Sequence, residues 1–219
     1  GLWGARMDKS GLGQQTFEFY KHMNPAKTVV VDISMLEKTT DRRMHQYPER
    51  YPNAKIITGI PNEYDIVEFL KDLDIVFSAE CAYNMDFYRI AREMGVKTAV
   101  QYNYEFFDWF KGSLWYNTPP DLFIAPSTWH WDEVQSLCDE QNIKHVYLHC
   151  PVDREKIPRR YIDTANTFVH IAGRPASHDR NGTGTFLQAI QLADGDLKGL
   201  VYTQDKALAN EIKAEYPSI

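Results

Sequence analysis

Cysteine is scarce in this sequence, and the few cysteines present show no pattern. Cys81, Cys138 and Cys150 are an odd number at scattered positions, without the spacing of a metal site. Such a set is typical of free thiols in a reducing compartment. The cysteines therefore argue against a disulfide-stabilised secreted module and predict a cytoplasmic protein.

Long apolar runs and an excess of positive charge are also missing. No stretch of about 18 apolar residues occurs, and the opening Gly1-Leu2-Trp3 lacks the basic and apolar segments of a secretory signal. The chain has 24 Lys and Arg against 30 Asp and Glu, a net charge of -6. We therefore predict no membrane span and no nucleic-acid binding by bulk charge, although a local basic pocket is still compatible.

What the 219 residues do contain is an alternation of short apolar runs with segments of helical periodicity. Most of the runs are continuous and rich in β-branched residues, as strands covered on both faces require. The runs are 28–31, 55–58, 74–77, 97–100, 122–125, 145–148, 168–171 and 200–202. Because strands and helices alternate, we expect an α/β fold with a Rossmann-like, doubly wound parallel sheet.

One polar stretch divides the chain. Residues 151–166 include Pro151, Pro158 and a charged run. We predict an N-terminal Rossmann-like domain over 1–150, a linker over 151–166, and the start of a second Rossmann-like domain over 167–219. Two parallel strands cannot bury both of their faces alone. The second domain is therefore either truncated here or packed against the first sheet or a partner chain.

A glycine-containing loop follows the predicted first strand. Ser10-Gly11-Leu12-Gly13 opens a helix whose Phe17, Tyr20 and Met23 we expect to face inward. Backbone N–H groups at such a helix start can approach an anion, which the helix dipole favours. The third glycine of a dinucleotide fingerprint is missing, although Asp32 ends the next strand where a ribose-binding acid would lie. The alternative is a tight turn in which glycine supplies a positive φ.

A second loop joins the 168–171 strand to the following helix. It carries Arg174, Arg180 and a histidine, and it delivers Gly182-Thr183-Gly184 to the helix start. Guanidinium groups beside helix amides are typical of a diphosphate site. The alternative is a solvated loop with incidental arginines.

Polar residues also follow two other predicted strands. Glu80 comes after the 74–77 strand, and Asn103 and Glu105 come after the 97–100 strand. Ligands of open α/β sheets bind at the carboxyl ends of strands. These residues are therefore candidates for a base or for sugar-hydroxyl ligands, with helix caps as the alternative. The aromatic residues of 102–131 could bind sugars or bases, or pack in a core or an interface.

Taken together, these segments resemble a GT-B fold glycosyltransferase, particularly the retaining family 4-like enzymes. The matching segments are 10–13, Ala125-Pro126-Ser127-Thr128-Trp129, 148–153 and 168–189. Segment 11–20 is also similar to bacteriophage-encoded glycosyltransferases, for which the compartment would be the host cytoplasm. The family's later acidic motif has no counterpart before Ile219, so the resemblance implies a donor domain that is truncated here.

The resemblance implies a donor site for a UDP- or GDP-type nucleotide sugar, with no metal and no further cofactor. The residues that would bind or face the donor phosphates are Arg174, Arg180, Asn181, Gly182, Gly11 and Gly13. The family usually has lysine where this chain has Asn181, so Arg180 would supply the positive charge. The departing nucleotide would be stabilised electrostatically, and no catalytic side chain is assigned.

The acceptor side would lie on the N-terminal domain. Its candidates are Gln14, Glu80, Asn103 and Glu105. The leading hypothesis is a glycosyltransferase of the hexosyltransferase type, whose acceptor is a protein, a glycan, a lipid or a modified DNA base. The second is another Rossmann-type enzyme, such as an epimerase, although the missing glycine counts against NAD. The third is a non-catalytic nucleotide- or phosphate-binding or assembly module.

Overall fold

A computed structural model of the chain describes residues 1–8, 10–33, 46–79, 82–104, 118–157, 161–173, 179, 181–193, 197–203 and 205–216. The chain forms two compact units, Gly1–Ile157 and Pro158–Ile219. The division falls inside the polar stretch 151–166. Each unit has its own sheet, and each is described by itself.

The first unit is built on a seven-stranded sheet in which every neighbouring pair is parallel. Its strands are β1 (Leu2–Ala5), β2 (Thr28–Asp32), β3 (Lys55–Thr58), β4 (Ile75–Ala79), β5 (Lys97–Gln101), β6 (Leu122–Ala125) and β7 (Lys144–Tyr147). Their order across the sheet is β3-β2-β1-β4-β5-β6-β7. This order confirms the predicted α/β class and its Rossmann-like, doubly wound parallel sheet.

Helices cover both faces of this sheet. They are α1 (Gly11–Met23), α2 (Glu63–Leu70), α3 (Asp86–Glu93) and α4 (Trp131–Glu140), and a short 3-10 helix spans Pro48–Arg50. Residues of α2, α3 and α4 share one core with Trp3, whose ring lies 4.8 Å from Phe87. Phe19 of α1 belongs to the core on the opposite face, with Phe77 of β4. Continuous apolar strands are therefore explained by burial on two sides.

Local sequence signals place the start and end of individual helices. At α2, Asn62 accepts from the Asp65 N–H at 3.0 Å, and the Asp65 carboxylate accepts from the Asn62 N–H at 3.3 Å. This reciprocal capping box satisfies two N–H groups that a helix start leaves unpaired. At the end of α3, Gly95 takes a φ of +76°, a conformation that glycine adopts without steric cost.

The orientation of α1 differs from the expectation. Thr16 and Phe19 are buried, whereas Met23, expected to face inward, is 45% exposed. The Thr16 hydroxyl accepts from the Arg6 N–H at 3.2 Å, which turns that helix face toward the end of β1. Tyr20 lies at the margin of the core, where its ring contacts Tyr51 at 4.9 Å. Contacts with β1 and the 3-10 helix, rather than the apolar stripe alone, therefore set the rotation of α1.

The second unit has two parallel strands, β8 (Thr167–Gly173) and β9 (Lys198–Thr203), with helices α5 (Thr183–Leu192) and α6 (Lys206–Glu215). His170 contacts α5, where its Nε2 lies 3.0 Å from the Thr183 hydroxyl. The alternate residues of each strand point to the face of this sheet that is opposite α5. The apolar side chains on that opposite face are exposed, and they are Val169, Ile171, Leu200 and Tyr202.

No helix within the described ranges is long and apolar enough to cross a bilayer.

Candidate functional site

The strand order reverses at β1, and this reversal marks the candidate site. The chain passes from β1 outward to β2 and β3, then returns to β4 on the other side of β1. In open α/β sheets, ligands bind outside the carboxyl ends of the strands at such a reversal. The predicted loop at Gly11 and Gly13 follows β1 directly, and Glu80 follows Ala79 of β4 in sequence. Glu80 itself lies outside the described residues.

A buried carboxylate organises the loop after β1. Asp8 is 1% exposed; its Oδ1 accepts from the Ser10 N–H at 2.8 Å, and its Oδ2 accepts from Arg6 Nε at 2.8 Å. Burial by itself would raise the pKa of Asp8, but the hydrogen bonds from Ser10 and the charge of Arg6 lower it overall. The loop therefore contains an ionised, paired carboxylate and a cation that is partly exposed. Sequence reasoning missed this pair, although the Asp8-x-Ser10 spacing is typical of an Asx turn.

The two glycines of the loop have different structural roles. Neither takes a positive φ, so the alternative explanation by a left-handed turn is wrong for this loop. A Cβ on Gly13 would lie 2.1 Å from the Asp8 carbonyl oxygen, so the close approach of backbone requires glycine there. A Cβ on Gly11 would meet nothing within 4 Å. Gly11 is thus open on the outside of the first turn of α1.

The 3-10 helix holds the loop from the side. Arg50 donates to the Asp8 carbonyl oxygen at 2.8 Å and to Gln14 Oε1 at 2.9 Å, and its guanidinium lies 4.0 Å from the centre of the Phe17 ring. Gln14, a predicted acceptor-side residue, also donates to Glu18 Oε1 at 2.7 Å. Both ends of the Gln14 side chain are therefore engaged within the protein. Sequence reasoning also missed Arg50, because its partners lie 42 and 36 positions away.

A buried glutamine joins α1 to the ends of two strands. Gln101, the last residue of β5, accepts from Gln15 Nε2 and donates to the Leu148 carbonyl oxygen at 3.4 Å. The Cys150 thiol lies 4.0 Å from Gln101 Oε1. This buried polar group connects the loop at the strand reversal with the chain that follows β7. Its position at a strand end is the signal that could have identified it.

The strand ends beyond β5 bring aromatic residues together. Asn103, a predicted acceptor-side residue, is half-buried just after β5, and Glu105 lies outside the described residues. Tyr104 stacks on His130, with ring centres 4.2 Å apart, and its hydroxyl donates to Glu133 Oε2 at 2.7 Å. Unlike Trp3, which is buried in the core, Trp129 is 61% exposed beside these rings. Trp129 is therefore a surface group, whereas Tyr104 and Trp131 are partly buried against the core.

The predicted diphosphate loop is described only in part, since Arg174 and Arg180 lie outside the described residues. The Asp179 carboxylate accepts from the N–H groups of Thr183 and Gly184, both at 2.7 Å. These backbone hydrogen bonds lower the pKa of Asp179. Asn181 turns inward and donates to the Ala172 carbonyl oxygen at 3.0 Å. The first amides of α5 thus already bind an anionic group.

Gly182 precedes α5 with a φ of +72°, and a Cβ there would meet nothing within 4 Å. Glycine is therefore required at this position by the backbone conformation rather than by crowding.

The described cysteines are poor candidates for a nucleophile. Cys138 and Cys150 are free thiols. Burial raises the pKa of Cys138 to about 12, and burial also raises the pKa of Cys150. Reactive cysteines are those whose pKa is lowered, so both thiols are packing groups here. Within the described ranges, no group of three or more His, Cys, Asp or Glu side chains could hold a metal ion.

No family model, no curated protein and no solved structure matches this chain.

Proposed function

We propose that the chain belongs to a nucleotide-sugar-dependent glycosyltransferase, with the acceptor side on the first unit and the donor side on the second. The observation that carries the proposal is the succession of two separate parallel α/β units in one chain. In each unit, glycine lies where the chain after the first strand enters a helix, at Gly11 and Gly13 in the first turn of α1 and at Gly182 before α5. Such a helix start is the usual place for a phosphate group.

The start of α5 supports phosphate binding in the second unit. Its Thr183 and Gly184 amides hold the Asp179 carboxylate, which shows that they can coordinate an anion. A nucleotide diphosphate offers the same kind of oxygen acceptors. Arg174 and Arg180 belong to the same loop in sequence and would add charge-assisted hydrogen bonds. A diphosphate bound here would displace Asp179 from these amides.

The loop after β1 supports the acceptor side. Asp8 and Arg50 hold its backbone, so the exposed first turn of α1 is presented on a rigid support. Rigid placement lowers the entropy lost when a ligand is oriented. Negative charge that develops on the departing nucleotide would be stabilised by helix amides and arginine side chains, which is electrostatic catalysis.

Calorimetric titration with UDP and GDP tests the donor site. Arg180→Ala and Arg174→Ala should each weaken binding about tenfold or more, because a charge-assisted hydrogen bond contributes about 1.5–3 kcal/mol. Arg154→Ala, at an exposed position in the first unit, is the matched control and should leave binding unchanged. Unchanged affinity in both loop variants would remove the proposed donor site.

Asn181→Lys tests the register of the comparison with the glycosyltransferase family. Lysine is the residue usually found there, so the variant should bind UDP or GDP more tightly. It also loses the hydrogen bond from Asn181 to the Ala172 carbonyl oxygen. A variant that keeps its fold by circular dichroism but binds no better would show that the register is wrong.

A non-catalytic assembly module is the second candidate, and the exposed face of the β8–β9 sheet favours it. Val169 and Ile171 are 58% and 69% exposed on that face. Exposed apolar patches often mark interaction surfaces. Release of UDP or GDP from a panel of nucleotide sugars, measured with and without candidate acceptors, separates the two functions. Binding without any release in the full chain would favour the module.

A further inference from the structure

Three aromatic side chains and one carboxylate lie together at the carboxyl edge of the first sheet. Tyr104 follows β5, Trp129 and His130 lie between β6 and α4, and Glu133 lies in the first turn of α4. Because parallel strands end at one edge of a sheet, residues 29 positions apart meet there. We name Tyr104, Trp129, His130 and Glu133 the aromatic platform.

The rings of the aromatic platform support an open indole. The rings of Tyr104 and His130 are stacked and nearly parallel, with an interplanar angle of 10°. Trp129 contacts both at tilted angles, with ring centres 4.8 Å from Tyr104 and 5.0 Å from His130. These tilted contacts hold the indole without stacking over it. Trp129 is 61% exposed, so its side chain is accessible to a ligand.

The backbone around Trp129 is fixed. The Trp129 N–H donates to the Ser127 hydroxyl at 3.3 Å, and the Trp131 N–H donates to the Thr128 carbonyl oxygen at 3.2 Å. His130 has a φ of +53°, which residues other than glycine rarely adopt. Surrounding contacts are needed to keep such a conformation, and it occurs often at ligand sites. The large apolar side chain is therefore presented to solvent in a set position.

We propose that the aromatic platform binds a carbohydrate ring. The apolar C–H face of a pyranose fits a flat indole, and the negative face of an aromatic ring attracts partly positive C–H groups. The Glu133 carboxylate, whose side chain is 42% exposed, can accept hydrogen bonds from sugar hydroxyl groups beside the indole. A nucleic-acid strand is disfavoured, because its phosphates would approach Glu133 on a chain of net charge -6.

This site narrows the class of acceptor. If the chain transfers a sugar, the platform lies at the edge of the sheet that carries the acceptor side, and the acceptor is a glycan. That assignment to the acceptor rests on the proposed function, whereas sugar binding itself does not.

Saturation-transfer NMR with the methyl glycosides of glucose, galactose, mannose and N-acetylglucosamine tests the platform. At least one glycoside should receive saturation at its ring C–H protons and show a measurable Kd. Trp129→Ala should weaken its binding at least tenfold, and Trp129→Phe should retain part of it. Glu133→Gln should weaken binding about threefold. Tyr64→Ala, at a 71% exposed aromatic residue of α2, is the matched control and should bind normally.

Uridine and adenosine are added to the same NMR experiment as nucleoside probes. Two results would overturn the proposal: no saturation transfer to any of the four glycosides, whether or not the nucleosides receive it, or equal glycoside binding by Trp129→Ala and the wild type. Circular dichroism of each variant checks that the fold is retained. Sugar binding without any glycosyl transfer would remove the proposed function and keep the platform. Glycosyl transfer that does not depend on Trp129 would keep the proposed function and remove the assignment of the platform to the acceptor.

Discussion

At the scale of single residues, Gly13 and Asp8 are the most constrained positions of the candidate site. The backbone of Asp8 approaches Gly13 so closely that no Cβ fits, and the Asp8 carboxylate is held by Ser10 and Arg6. Because Gly13 and Asp8 contact each other, a substitution at either residue should alter the conformation of the whole loop after β1. Gly11, two residues from Gly13, has no such neighbour and provides an internal comparison.

Gly13→Ala should therefore lower the free energy of unfolding by about 1–3 kcal/mol, because the new methyl group must displace the Asp8 backbone. Gly11→Ala should change it by no more than about 0.5 kcal/mol, since the added methyl group lies in open space. Urea denaturation of both variants measures the difference. Equal stabilities would mean that the approach of Gly13 to Asp8 is not a constraint on the fold.

The ionised state of Asp8 should appear in the pH dependence of stability. Its pKa in the folded state lies below the ordinary value of about 3.9, so its ionised form stabilises the fold above that pH. That contribution is lost as the pH falls through the folded-state pKa. Asp8→Asn should cost about 1.5–3 kcal/mol at pH 7, and the difference from wild type should shrink below about pH 4. Urea titrations at pH 7, 5, 4 and 3 measure it. A difference that is constant with pH would contradict the assignment.

At the scale of secondary-structure elements, two helices of the second unit begin in a similar way. Asp179 accepts from amides at the start of α5, and Asp205 accepts from the Ala207 and Leu208 N–H groups at the start of α6. Only α5 follows a loop that carries two arginines in the sequence. Comparing variants of the two aspartates therefore distinguishes the loss of a helix cap from the release of an anion site that a carboxylate occupies.

Asp179→Ala should speed hydrogen exchange in the first turn of α5 and strengthen UDP or GDP binding, because the carboxylate no longer competes for the amides. Asp205→Ala should speed exchange in the first turn of α6 without changing nucleotide affinity. Hydrogen-exchange mass spectrometry and calorimetry on the two variants measure both effects. Weaker nucleotide binding by Asp179→Ala would show that this carboxylate does not occupy the diphosphate site.

At the scale of the whole molecule, the two units differ in how much apolar surface they bury. In the first unit, the described core includes large side chains on both faces of seven strands, such as Trp3 and Phe87 on one face and Phe19 and Phe77 on the other. In the second unit, the buried apolar residues among those described are Ala172, Leu187 and Ile212. A two-stranded sheet with one open face has little to stabilise it.

Backbone amides of β8 and β9 should therefore exchange hydrogen faster than those of β1, β4 and β5, because local opening needs less free energy where fewer apolar groups are buried. Leu187→Ala should speed exchange across the second unit and leave the first unit unchanged. Phe87→Ala is the counterpart and should speed exchange in the first unit while leaving the second unit unchanged. Equal protection of the two sheets would mean that the second unit is stabilised by contacts other than its own core.

The sequence alone determined the class of fold, because strand and helix periodicities are local. The apolar runs found along the chain coincide with β2–β9 to within two residues, and Asn62 marks the start of α2. The sequence also indicated that a helix opens at Gly11 and Gly13 after the first strand, since a helix start depends mainly on its neighbours in the chain. The rotation of α1 was not determined, as Met23 shows, because the helix is turned by contacts with β1 and the 3-10 helix.

Only the tertiary structure decided which side chains meet. Arg50 reaches Asp8 over 42 positions, Gln15 reaches Gln101 over 86, and Tyr104 reaches Glu133 over 29. No periodicity encodes such pairs, because they depend on strand order and on the edge at which parallel strands end. The same holds for exposure: the sequence shows that Trp3 and Trp129 are tryptophans, and the packing of the sheet buries one and leaves the other in solvent.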